Sequence, residues 1–288
     1  MKQRSIGNVQ VGAIGLGGMP MSIEGRPDTD RSVRTIHAAL DAGVTLIDTA
    51  DAYHLGADEV GHNESLIAQA IASYGGDTSG VLVATKGGHL RPGDGSWTVD
   101  GSRAHLREAV EGSLKRLGVE AIGLYQFHRP DPKTPYAESV AAIGELLDEG
   151  KIQMAGISNA DPQQIRQAQE ILGGRLVSVQ NQFSPAFRSS EPELDLCDEL
   201  GIAFLPWSPL GGIGKAGKLG ESGDQSEFAR IARLHGVSPQ QLTLAWMLAK
   251  SPVVIPIPGA SRPESITDSA QAPEITLSDE EVAALNAA

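Results

Sequence analysis

The chain has 288 residues, with 23 Lys and Arg against 36 Asp and Glu, a formal net charge of −13. That balance excludes a coat for nucleic acid, which needs a basic face to neutralise phosphates. The content of 40% hydrophobic and 20% charged residues excludes a disordered chain, and the length can bury a large core without staples. One cysteine, Cys197, excludes an internal disulfide and reads as a buried, inert thiol. The polar start Met1–Ser5 carries no apolar signal core, and no run reaches the roughly 18 apolar residues of a membrane span. A cytoplasmic protein with no membrane or nucleic-acid partner is expected, a monomer or weak oligomer.

In chain order, Arg4–Ile6 and Val9–Val11, joined by Gly7-Asn8, predict a small hairpin. Eight short apolar runs then predict strands at Val11–Leu16, Thr45–Ile47, Val81–Thr85, Ile122–Phe127, Met154–Ile157, Leu176–Gln180, Ile202–Leu205 and Val253–Ile257. Between them, amphipathic stretches predict helices at Arg31–Ala42, Glu64–Ser73, Arg103–Leu117, Tyr136–Glu149, Pro162–Leu172, Pro192–Leu200 and Ser238–Lys250. Asp161-Pro162 and the box Ser238–Gln241 mark helix starts, and Ser278–Glu281 starts a final helix. Gly118 and Gly201 stand where left-handed C-caps need glycine. The repeated strand–helix alternation predicts a (β/α)8 TIM barrel with a short N-terminal β-hairpin, as one domain over residues 1–288. A doubly wound sheet gives the same local pattern and is the alternative. The longest irregular stretches, His89–Asp100 and Leu210–Gln225, both follow strands, so in a barrel both belong to the C-terminal mouth.

The glycines at 12, 15, 17 and 18 do not make a dinucleotide fingerprint, since the third required glycine is Pro20. They read as a strand ending in a tight turn. None of the seven histidines has metal-ligand spacing, so no metal is expected.

Four strand ends carry unusual chemistry: Asp48-Thr49-Ala50-Asp51-Ala52-Tyr53, Thr85-Lys86, Gln126-Phe127-His128-Arg129-Pro130-Asp131 and Ser158-Asn159. In a barrel these ends converge, so Asp48, Tyr53, Lys86 and His128 meet. Each alone has a bland reading, as a cap, a packed ring, a surface charge or a satisfied imidazole. Together they suit acid–base work on a C=O group. A phenol titrates near 10, and a neighbouring ammonium lowers that value. Aspartate holds the lysine, and histidine orients the carbonyl. Lys86 as a Schiff-base nucleophile, as in barrel aldolases, is the rival chemistry.

These motifs resemble those of the aldo-keto reductases, in the same order along the chain, from about Val11 to Ile266. The segment Asp48–Tyr53, with Gly61 and Glu64 downstream, is similar to that family's first signature; Thr85-Lys86 and Phe127–Asp131 match the next tetrad positions. The resemblance implies reduction of an aldehyde or ketone by hydride transfer from a nicotinamide cofactor, NADPH rather than NADH. It implies Tyr53 as general acid, tuned by Asp48 and Lys86, with His128 positioning the carbonyl. It implies that Ser158, Asn159 and Gln180 hold the nicotinamide carboxamide, amides offering donor and acceptor at once. It implies that Phe183 stacks under the nicotinamide ring. It further implies pyrophosphate contacts from Trp207, Ser208, Leu210 and Gly211, helped by the charge of Lys215 or Lys218. Gly259, Ser261 and Arg262 would clamp the adenosine phosphate and ribose, with Asp268-Ser269 near the adenine. Met19, His89 and Trp97, with Trp207, would line an open substrate mouth that takes a broad carbonyl range. Some relatives act as redox-linked channel subunits, so a cofactor-sensing role is a second functional reading. The acidity is expected on the outer helices, with a mouth locally less negative.

Overall fold

The computed structural model describes residues 1–212, 214–215, 219 and 226–288. Strands β1 (Gln3–Ile6) and β2 (Val9–Gly12) form an antiparallel hairpin. Its apolar face, Ile6 and Val11, joins Leu46, Ala84, Leu124 and Ile255 in one buried cluster, so the hairpin plugs one end of the barrel. Arg4 fastens it there by donating to the carbonyls of Leu248, Ser251 and Val254.

Seven parallel strands curl into the barrel wall: β3 (Leu16–Gly17), β4 (Leu46–Asp48), β5 (Leu82–Gly87), β8 (Ile122–Phe127), β9 (Ile152–Ser158), β10 (Leu176–Gln180) and β11 (Ala203–Phe204). The eighth stave is residues 253–259. It lacks a regular ladder because Pro256 and Pro258 have no N–H to give. It closes the ring nonetheless. Toward β11, Ile255 N–H donates to Phe204 at 2.8 Å and Ile257 N–H to Pro206 at 3.2 Å; toward β3, Pro256 and Pro258 accept from Gly15 and Gly17, both at 2.9 Å. This is the (β/α)8 barrel expected, with the first strand displaced. The run Val11–Leu16 is not one strand, since the hairpin takes residues to Gly12 and the barrel strand begins at Leu16. The glycines after it serve close packing. A Cβ on Gly17 would lie 2.9 Å from Ile257 O, and one on Gly18 would lie 2.8 Å from Asp48 O.

Helices α1 (Thr29–Asp41), α2 (His62–Ser73), α3 (Arg103–Leu117), α4 (Tyr136–Asp148), α5 (Pro162–Ile171), α6 (Glu191–Leu200) and α8 (Pro239–Lys250) surround the wall, each within two residues of its expected bounds. Their starts have side-chain reasons: Asp161 and Gln164 form a reciprocal capping box, and Ser238 accepts from Gln241 N–H. Gly118 and Gly201 end α3 and α6 at φ 67° and 66°. Two helices are additions to the sequence reading: α7 (Glu227–His235) and α9 (Pro263–Ser269), while α10 (Asp279–Ala287) starts at its box. The stretch after β5 is also more ordered than expected. β6 (His89–Leu90) pairs antiparallel with β7 (Thr98–Val99), presenting Trp97 at the mouth. Cys197 is buried, and burial pushes its thiol up to about 12.

Candidate active site

Parallel register brings the four strand ends to one rim. Asp48 of β4 pairs with Ala84 of β5, and Lys86 pairs with Gln126 of β8. Lys86 is wholly buried among polar acceptors. Its Nζ donates to Asp48 Oδ2 at 2.8 Å, to the Thr49 carbonyl at 2.7 Å and to Tyr53 Oη at 3.1 Å. The other Asp48 oxygen accepts from Gln180 Nε2 at 2.8 Å. Tyr53 therefore ends a chain that starts in the barrel interior. His128 stands beside it, with the two rings edge to face at 5.8 Å between centroids.

Burial and charge act in opposite senses here. Burial raises the Tyr53 phenol, and Lys86 only partly offsets this, so the phenol lies above its ordinary value. This corrects the expectation that the ammonium would lower it: in the resting site desolvation wins. Burial alone would depress Lys86, but Asp48 and Tyr53 outweigh it and keep the ammonium charged. Asp48 is raised by burial, against Lys86 and Gln180. His128 is held well below the usual imidazole range by burial, then by Lys86, His89 and Arg129, so it is neutral at pH 7. The rim is a protonated phenol wired to an ion pair, beside a neutral imidazole.

These groups open into a cavity of about 860 Å³. One part of its wall carries Ser158, Asn159, Gln180, Trp207, Ser208 and Leu210. Asn159 gives its amide N–H groups to the His128 carbonyl and Ser158 Oγ, both at 3.0 Å, while Gln180 gives one to Asp48. Their amide oxygens are left for a ligand. Among the described residues, Asn159 and Ser208 are the two non-glycine residues at positive φ, 56° and 51°. Such backbone strain recurs at ligand sites. Gly259 follows on the eighth stave, close against Pro20 and Gly17, and Ser261 lines the wall just beyond it.

Three of the expected cofactor residues stand off this wall. Phe183 is fully buried, stacked on Trp246 at 5.7 Å and edge-on to Phe204, so it is a core residue with no face in the cavity. The correction has a simple cause. The chain turns after β10, and the Gln182–Trp207 bridge sets Trp207, not Phe183, toward the cavity. Gly211 supports the loop without lining it, at φ 88°. Arg262 is outside the wall, its Nε donating to Ser265 Oγ at 2.7 Å. Asp268 is spent on the start of α8, accepting from Ser238 and Gln241, both at 2.7 Å. Lys215 lies on the adjoining turn, and Lys218 lies outside the described residues.

The remaining wall is aromatic. Met19, His89 and Trp97 line it, with His89 stacked on Trp97 at 4.7 Å. Ile23, Glu24 and Arg129 also line it and were missed. Arg129 was visible in the His128 motif, but nothing in one sequence says which way it points. Among the described residues no His, Cys, Asp and Glu cluster could hold a metal ion.

Behind the rim lies a second buried network. Glu64 accepts from Thr85 Oγ1 at 2.5 Å and from Arg116 Nε at 2.6 Å. Asp51, 4% exposed, faces it. Burial first, then Glu64, pushes the Asp51 carboxyl up to about 8, against Arg116, the Ala52 N–H and Lys86. A carboxyl raised on folding binds protons that the unfolded chain releases. Its contribution is present at low pH and is lost between about pH 4 and about pH 8. Asp51→Asn should therefore melt increasingly above wild type as pH rises through that window, measured by calorimetry at several pH values. A difference that stays constant with pH would refute the assignment.

Residues 13–288 match the model of the aldo/keto reductase family. The chain is 33% identical over 285 residues to an uncharacterised oxidoreductase of Schizosaccharomyces pombe, covering 98% of this chain and 88% of that protein. A glycerol dehydrogenase structure from Gluconobacter oxydans superposes with a TM-score of 0.85 at 28% identity, covering 99% of this chain and 94% of that one. An aldo/keto reductase from Klebsiella pneumoniae, solved with NADP and acetate, gives 0.78 at 28% identity over 96% and 91%. With the barrel, the strand-end tetrad positions and these likenesses together, the chain belongs to the aldo-keto reductase family of oxidoreductases.

Proposed function

We propose that the protein reduces aldehydes or ketones to alcohols with NADPH, and that Tyr53 is the general acid. The observation that carries this is the buried chain Asp48–Lys86–Tyr53, opening beside His128 into a cavity large enough for a dinucleotide and a small carbonyl compound. The donor set fits a nicotinamide. Asn159 and Gln180 have amide oxygens to accept from a carboxamide, and Ser158 lies between them. Trp207 lines the cavity and would supply the stacking ring in place of Phe183, and Ser208, Leu210, Gly259 and Ser261 continue the wall toward Arg262. The bound cofactor would supply the hydride.

The chain's own residues do the rest. Tyr53 donates its proton to the carbonyl oxygen as negative charge develops there. Lys86 stabilises the phenolate left behind, and Asp48 holds Lys86 in place. The neutral His128 can give a hydrogen bond to the same oxygen without adding a charge. Lys86 is a poor Schiff-base nucleophile, because three acceptors occupy its N–H groups and its ammonium is held charged. Loss of NADPH absorbance with a panel of aldehydes tests the reading; no consumption with any of them would defeat it.

Preference for NADPH over NADH rests on Arg262, whose planar fork suits a 2′-phosphate. Among the described residues it has no acidic partner, only Ser265. Titration followed by tryptophan fluorescence should show NADPH binding about tenfold tighter than NADH, and Arg262→Ala should erase that gap. Equal affinities in wild type would remove Arg262 from the role.

A further inference from the structure

The substrate end of the cavity holds one charge that nothing among the described residues balances. Among the described residues, three that bear full charges line the cavity: Glu24, Asp48 and Arg129. Glu24 is paired with Arg91, and Asp48 with Lys86. Arg129 has no hydrogen bond or ion pair among the described residues, and its Nε is buried without a partner. A guanidinium stays charged at any working pH and presents five donors in a planar fork. Arg129 is half-buried: its Nε has lost water without gaining a partner, while its terminal N–H groups stay open to a ligand that would complete the fork.

Its position is at the reacting end. Arg129 follows His128 directly, and its charge is felt by both imidazoles on that side, His128 and His89, which it helps to keep neutral. His89 lies 4.9 Å from His128, centroid to centroid, so the imidazoles and Arg129 share one region of the wall. Nearby cations do not duplicate it. Arg91 is spent on Glu24 and on the His54 carbonyl, and Lys86 is spent behind Tyr53. In a chain of net charge −13, the unbalanced charge beside the proposed proton donor is positive.

We infer that Arg129 makes the site select carbonyl substrates that carry a carboxylate a few atoms from the reacting carbon. The guanidinium takes the carboxylate bidentately while Tyr53 and His128 take the carbonyl oxygen. This rests on the carbonyl-reductase reading above and adds the substrate class to it. The hydride and proton balance is unchanged, because the carboxylate is held and not transformed.

The test compares ω-oxo carboxylates of increasing chain length with their methyl esters, using NADPH and reading the kcat/KM ratio of acid to ester. Each ratio is taken within one enzyme, so any loss common to both substrates cancels. At low salt the wild-type ratio should exceed about tenfold at the best chain length, as a charge-assisted bidentate contact allows. It should shrink as salt is raised. Arg129→Met should bring the ratio to about one or below, and Arg129→Lys should keep part of the preference. A wild-type ratio at or below one overturns the inference while ester turnover leaves the reductase reading standing. A ratio unchanged in Arg129→Met overturns it equally. No turnover of acid, ester or any neutral aldehyde overturns the reductase reading and this inference with it.

Discussion

Tyr53→Phe is expected to lower kcat for carbonyl reduction by about 10²–10⁴-fold, the range that general acid catalysis supplies. The variant keeps the ring that packs edge-on to His128 and under Lys86 Nζ, 4.9 Å from its centroid. It loses the hydroxyl alone. No other group at the rim can take its place. Lys86 has no exposed surface and stands behind the phenol, and His128 is neutral far below pH 7, so neither offers an accessible acidic proton. Cofactor affinity should survive, since the residues proposed to hold it lie on the other wall. A raised phenol also sets the pH behaviour of the wild type. Because Tyr53 is pushed above its ordinary value, it stays protonated through the neutral range, and reduction should show no loss from its titration below about pH 10. Single-turnover rates for both proteins across pH check this. A variant within a few-fold of wild type would remove Tyr53 as the acid.

The parts of this site that could be read from sequence were those fixed by strand ends. Asp48, Lys86, His128, Ser158 and Gln180 all sit at or just beyond a strand terminus, and parallel pairing leaves such residues no choice of rim. What failed was facing. Phe183 and Trp207 each follow a strand end by a few residues, and their composition is equally suited to a stacking ring. Only the bridge at Gln182–Trp207 and the partner Trp246 decide which is core and which is wall. Arg129 is the same case in reverse, a residue read as part of a motif whose side-chain direction is a tertiary fact.

Two departures from the expected elements have local causes. The helix Glu227–His235 buries Phe228, Ile231 and Ala232 at helical spacing, a signal masked by the glycine- and serine-rich run before it. The eighth stave was read correctly as an apolar run, yet its prolines keep it from a regular ladder while its carbonyls still close the ring. Composition gave charge but not its distribution. The cavity's acids turn out to be paired, which leaves Arg129 to set the local sign against the net charge of the chain.

Lys86→Met should destabilise the protein as well as silence it, and the two losses can be separated. Removing the ammonium leaves Asp48, 3% exposed, with Gln180 Nε2 as its remaining hydrogen-bond donor, and leaves the Thr49 carbonyl without the Lys86 donor. Breaking a buried pair from one side costs about 3–5 kcal/mol, because the other charge stays behind uncompensated. At this chain length, with about 2.1 cal/mol/K of unfolding entropy per residue, that is a fall in Tm of roughly 5–8 °C. Asp48 can relieve the strain by holding a proton, its carboxyl being raised by burial even with Lys86 present. A raised carboxyl loses stability as pH rises, so the penalty should be smaller near pH 5 than near pH 8. Asp48→Asn with Lys86→Met removes the stranded charge. The double variant should therefore regain much of the lost Tm and lose the extra pH slope, yet remain as inactive as the single one. Calorimetry and turnover on the same preparations give both readings. If the double variant melted no higher than the single, the cost would lie in packing rather than in the stranded carboxylate. If it recovered activity, the ion pair would serve only to hold the barrel together. Recovery of stability without activity would instead mean that the pair is kept for Tyr53: a neutral pair could fill the same space, but only the ammonium would balance the negative charge left on the phenol oxygen once its proton is given up.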